Sequence, residues 1–183
     1  MAGYHYLIAG LPDLKDDLGQ HSFDYRATVD EIRELCPDDG KKLIDWLEAG
    51  FDESHLNETF YRSVRKTGNR FLNGYFEFDK AVRTAKVEFL ESGKSGGEFS
   101  SVFAESNIIE REKKLDLIYW QKIDELVIGE LFNIDVVLAF IAKARIASRW
   151  EALDPKRGAE LFESLVREVR GTFKGVRYDS ETK

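Results

Sequence analysis

The chain has 183 residues, 43% of them hydrophobic and 33% charged, and a net charge of -7. That length allows one domain or two small ones, burying roughly 70% of the unfolded surface without staples, and the balance excludes a disordered chain. The acidic charge argues against nucleic acid, whose recognition rests on cations neutralising phosphates, and the single Cys36 excludes an intrachain disulfide and a multi-cysteine zinc site, in keeping with a reducing cytosol.

The first 24 residues are punctuated by Gly10, Pro12 and Gly19. Within them "YHYLIAG" reads as a strand or a helical turn, and no Lys or Arg precedes it as in a signal peptide. From Thr28 the pattern becomes helical. Thr28 and Glu31 have the spacing of a capping box, and Pro37 closes that helix. A second helix is predicted over 39–49, with Leu43, Ile44 and Leu47 inward and Gly50 as its stop. Residues 53–66 read as a weaker, polar helix.

Residues 69–92 carry Phe71, Phe78, Val82, Ala85 and Phe89 at helical spacing, although "KVEF" alternates like a strand. The length of the segment favours helix. Residues 107–127 form a long amphipathic helix with Leu115, Tyr119, Ile123 and Leu126 on one side and Glu110–Lys114 as an i,i+4 pair. A further helix, 133–152, places Ile134, Val137, Leu138 and Ile141 on one stripe, with Lys143, Arg145 and Arg149 towards its C-terminal end, where cations suit the dipole. The last helix starts at Asp154 and Pro155 and carries Leu161, Phe162, Leu165, Val166, Val169 and Phe173 at the same period. The fold class expected is all-α, a multi-helix bundle with a helix content of about 60–70%, far above the ~30–35% average. It divides into an N-terminal helical part, 1–92, and a C-terminal three-helix part, 93–183, or forms one continuous domain. The longest apolar run, "VVLAFIA" between Asp135 and Lys143, is far short of the ~20 residues that span a bilayer.

Few residues suggest chemistry. "ESGKSGGEF" ends like the phosphate-binding pattern G-x-x-x-x-G-K-[ST], but Glu88 occupies the position of its first glycine and Gly96-Gly97 follows where a helix should start. A Gly/Ser linker is the expectation, with no nucleotide and no cofactor. His5, His21 and His55 lack metal-ligand spacing, and Cys36 has no base named beside it. Asp38-Asp39 reads as helix-starting charge. "EREKK" (110–114) offers Arg111, Lys113 and Lys114 as a candidate partner interface, against an exposed, solvated helix face. Trp120 and Trp150 are core or interface anchors. "FEFDKAV" and "FNIDVVL" form a short internal echo.

Two stretches, "IEREKKLDLIYW" (109–120) and "LFNIDVVLAFIAKARIASRWEALDPKRGAELFESLV" (131–166), resemble a poorly characterised bacterial family encoded among V-type ATPase genes. "YHYLIAGLPDL" (4–14) and "FLNGYFEFDKAV" (71–82) resemble its N-terminal hallmark and middle helix. That family is similar to the C-type subunit (d-type in eukaryotes) of V/A-type ATPases, in which helices starting with Asp or Asn followed by apolar residues recur as repeats. The chain looks shorter than typical members between residues 50 and 100. The resemblance implies a non-catalytic adaptor between the central stalk and the membrane rotor ring, peripheral on the cytosolic face, with those ATPase components as partners. A free-standing helical adaptor, or a small helical enzyme with a carboxylate or histidine site, is the alternative.

Overall fold

The computed structural model describes residues 4–16, 24–93, 97–151 and 162–168. Of these, 77% are helical and none is in a strand, so the chain is an all-α, multi-helix bundle. The helices are α1 (His5–Gly10), α2 (Tyr25–Leu35), α3 (Asp38–Ala49), α4 (Glu58–Lys66), α5 (Arg70–Ser92), α6 (Ser100–Phe103), α7 (Ile108–Leu126) and α8 (Ile134–Glu151). Residues 162–168 are also helical.

Short polar side chains set most of the starts, because the first N–H groups of a helix need acceptors. Asn57 accepts from the N–H of Phe60 to start α4, and Asn107 accepts from Ile109 and Glu110 to start α7. At α2 the cap is Asp24, whose Oδ1 accepts from Arg26 and Ala27 at 2.9 and 3.1 Å. Thr28, read above as the cap, is therefore inside the helix, because Asp24 caps it four residues earlier and the Thr28 N–H already donates to the Asp24 carbonyl at 2.9 Å. "YHYLIAG" resolves as α1, and the 53–66 segment divides into a 3₁₀ turn at Glu53–His55 followed by α4. Gly93 ends α5 in the left-handed region at φ 68°, where a side chain would be strained. Gly50 acts differently: its φ is -74°, and a Cβ there would lie 2.2 Å from ring carbons of Phe76. It serves close packing of α3 against α5.

The main core has α8 at its centre. Val137, Leu138, Ile141, Ala142, Ala144 and Ala147 are fully buried, and α8 touches α2, α3, α5 and α7. A helix apolar on nearly every side has to be enclosed in this way. Side chains from Leu7 to Ile146 join this cluster, including Ile44, Leu47, Phe71, Phe76 and Trp120. A smaller cluster contains Val82, Ala85, Phe99, Val102, Phe103 and Leu115, under α6.

Leu138 thus lies in the core that α8 shares with α2, α3, α5 and α7. The start of the last expected helix, 152–161, and its Val169 and Phe173 lie outside the described residues. Phe162 and Leu165, expected on an inward stripe, are 68% and 50% exposed. The echo also changes meaning. Asp79 lies in the middle of α5, whereas Asp135 lies in the first turn of α8. Asn69 links the starts of these two helices, accepting from the Leu72 N–H and donating to Asp135 at 2.6 Å.

Candidate functional site

The cationic run on α7 separates into three environments. Arg111 is half-buried, its guanidinium 5.8 Å from the centroid of the Phe89 ring. Lys114 donates to Glu105 at 2.6 Å, so the pair expected with Glu110 is not formed. That hydrogen bond is the main cause holding Glu105 below its usual range. Lys113 is exposed and has no ion-pair partner among the described residues. Ile109 and Leu117 stand one turn either side of it, 64% and 36% exposed. Spaced at i, i+4 and i+8, these residues share one outward stripe. The sequence reading named the cations and missed the isoleucine and the leucine. Their signal was present, since both interrupt the apolar period that ends inside the core at Leu115 and Ile123.

A second polar constellation lies where α5, α7 and α8 converge on the end of α3, around a cleft of roughly 220 Å³. Its lining includes Tyr75, Asp79 and Arg83 of α5, one turn apart on one face, and Asp116 and Tyr119 of α7. Arg145 and Arg149 of α8 complete it, with Phe51 and Glu53 at the rim. Asp79 and Asp116 are each 6% exposed. Buried carboxylates need compensating donors, and both have them. Asp79 accepts from Arg83 Nε at 2.7 Å and from the Tyr119 hydroxyl at 2.8 Å. Asp116 accepts from Arg149 and from the indole N–H of Trp150. Arg83 also reaches Glu53 at 3.0 Å. Burial works against charge on Arg83, but the hydrogen bond and charge of Asp79 outweigh it and raise the guanidinium further. Burial pushes Asp116 up from the usual carboxylate range, opposed by Arg149 and Trp150. Tyr75 and Tyr119 are raised first by burial and then by the Asp79 charge, so both hydroxyls stay protonated.

Arg145 and Arg149, read above as cations suited to a helix C-terminus, thus have lateral roles. Arg149 ties α8 to α7 through Asp116. Arg145 lies 5.6 Å from the Tyr25 ring centroid and 6.0 Å from that of Phe51, within cation–π range. Lys143 of the same helix donates to Asp124 and sits 4.9 Å from the Trp120 ring centroid.

The other sequence candidates do not converge. The His5 ring lies tilted against Phe132, with centroids 4.2 Å apart, and His55 contacts the Ala49 carbonyl at 3.2 Å. His21 lies outside the described residues, as do Lys94, Ser95 and Gly96. Glu88 is exposed on α5, and that helix runs through Ser92 up to the glycine. Asp38 and Asp39 are exposed in the first turn of α3. Cys36 is buried at 4% exposure, and burial pushes its thiol up, which disfavours the nucleophilic thiolate. Trp120 is in the core at 6% exposure, and Trp150 is half-buried against Asp116. Among the described residues no group of three or more His, Cys, Asp or Glu could hold a metal ion.

Residues 96–172 match a family described as a protein of unknown function, DUF2764. The match takes in α6, α7 and α8, so it includes the outward stripe of α7 and one wall of the cleft. The other wall, on α3 and α5, lies outside it. No curated protein and no solved structure matches the chain.

Proposed function

We propose that the chain is a non-catalytic adaptor of a V/A-type ATPase, similar to the C-type (d-type) component, that couples the central stalk to the membrane rotor ring. The observation that carries this reading is the outward stripe of α7. Ile109, Lys113 and Leu117 give it an apolar component beside cations, in the stretch (109–120) that resembles the ATPase-associated family. Large side chains left in water on a regular, rigid helix suit a protein partner better than a solvated face. An adaptor that meets the cytosolic loops of a ring needs no membrane-spanning helix of its own, and none of the described helices is long and apolar enough to cross a membrane.

The test is co-purification of the central-stalk and ring proteins with the wild type and with Ile109→Glu/Lys113→Glu. These two positions are chosen because both side chains are exposed and Lys113 has no internal ion pair among the described residues, so the change leaves the core intact. Wild type should recover the partners, and the variant should lose them while melting at nearly the same temperature. Charge effects at an interface rim act mainly on association rate, so the loss from Lys113→Glu alone should shrink as salt is raised. Equal recovery by both proteins removes this stripe from the interface. No recovery by the wild type overturns the ATPase reading and leaves a free-standing adaptor.

A further inference from the structure

We propose that the cleft between α5, α7 and α8 binds a carboxylate group, held by the Arg145 guanidinium and the Tyr75 hydroxyl. This inference is independent of the adaptor reading. It begins with what the cleft has left over. Of its three lining guanidiniums, those of Arg83 and Arg149 already face Asp79 and Asp116. Arg145 has no carboxylate within ion-pair distance among the described residues. Glu48, in the adjoining groove, pairs with Arg33 at 3.3 Å and attracts Arg145 only from beyond ion-pair distance. The Tyr25 and Phe51 rings lie within cation–π range of the exposed Arg145 side chain and restrain it, which lowers the ordering cost of binding.

Tyr75 is the second observation. It is 7% exposed as a residue and lines the cleft, and its hydroxyl keeps accessible surface there while making no hydrogen bond among the described residues. The neighbouring Tyr119 hydroxyl differs in this respect, since it donates to Asp79. The Tyr75 proton is retained because burial, with the nearby Asp79 and Asp116 charges, raises its pKa. It is therefore a donor awaiting an acceptor.

Charge selects the class of ligand. The lining holds three guanidiniums and three carboxylates, those of Glu53, Asp79 and Asp116. One cation and one neutral donor are free to act on a guest, which suits a monoanion. A phosphate carries about -1.5 to -2 at neutral pH and would be repelled by the three carboxylates. The rings of Phe51, Tyr75 and Tyr119 form apolar wall, so an aromatic carboxylate is the fitting probe.

The experiment is a titration of the full chain with benzoate, followed by amide chemical shifts, beside parallel titrations with benzamide and inorganic phosphate. Benzoate should give saturable shifts centred on residues 51, 75, 145 and 149. Benzamide, the neutral analogue of the same shape, should give none. Arg145→Gln should weaken benzoate about tenfold or more, and Tyr75→Phe about fivefold, as expected for a charge-assisted and a neutral hydrogen bond. Both variants should keep the wild-type spectrum elsewhere, and the isosteric Tyr75→Phe guards against misfolding. Non-saturating shifts, equal shifts with benzamide, or an Arg145→Gln protein that binds as well as wild type would each overturn the assignment. Binding of phosphate without benzoate would overturn the carboxylate class.

Discussion

The bundle around α8 collects side chains from Leu7 through Ile146, whereas the cluster under α6 holds only Val82, Ala85, Phe99, Val102, Phe103 and Leu115. The first joins parts of the chain more than a hundred residues apart, so losing it means global unfolding. The second lies within 34 positions, between residues 82 and 115, and is expected to open locally before α8 does. Burial differs in the same way. α8 is apolar on almost every side and enclosed by four helices. The segments that carry the small cluster leave Val87, Leu90, Ile108 and Ile109 exposed, because a single turn of helix at α6 cannot cover them. Ile109, within the stripe proposed to meet a partner, belongs to this set, and beside the large core Tyr6, Leu35, Ile128 and Leu131 are exposed as well.

The sharpest way to break this contrast is Leu138→Ala. Leu138 is fully buried in the large core, so the substitution should cost ~2–5 kcal/mol, read as a lower urea midpoint at unchanged slope. A melting temperature within about a degree of wild type would mean that α8 is not the centre of the core. Next comes Gly50→Ala. Its methyl would meet the Phe76 ring at 2.2 Å, and the overpacking should cost ~1–3 kcal/mol. A neutral result would show that Phe76 moves freely, and the α3–α5 contact would then be loose.

Val102→Ala addresses the smaller cluster. At ~0.8 kcal/mol per buried CH₂, removing two carbons should cost roughly 1.5–2 kcal/mol. Hydrogen exchange should speed up within residues 99–115 and stay unchanged in α8. If α8 loses protection equally, the two clusters form one cooperative unit. The smallest expected effect is that of ATP, tested on the 93–97 connection that leads into the small cluster. Binding at a hundred times Kd would stabilise the fold by about 2.7 kcal/mol. With Glu88 in place of the first loop glycine, ATP should leave the melting temperature unmoved. A stabilisation that disappears in Lys94→Ala would reinstate the phosphate loop.

Most helices were legible in the sequence. The boundaries of α3, α5 and α7 and the start of α8 fall within a residue or so of those read from caps, glycines and apolar period. α6 was not, since "SSVF" is a single turn, too short for a period to register. At α2 two cap candidates were on offer, and Asp24 starts the helix four residues before Thr28. The exposed stripe of α7 was half legible, through its cations. The cleft was not legible at all. Tyr75, Asp79 and Arg83 are visible as an i, i+4, i+8 row, but nothing local marks that row as facing Asp116 and Arg149.

The sequence by itself determined that this chain is helical, where its longer helices begin and end, and that α8 must be enclosed. Those features depend on capping bonds and side-chain spacings within a turn or two. Only the tertiary structure decided which charges meet: Arg149 with Asp116 across 33 positions, Tyr119 with Asp79 across 40, Asn69 with Asp135 across 66. Each residue turns a helix by about 100°, so a small rotation of α5 or α8 would send the same side chains to solvent. The packing of apolar stripes fixes that rotation, and through it the cleft and the outward face of α7.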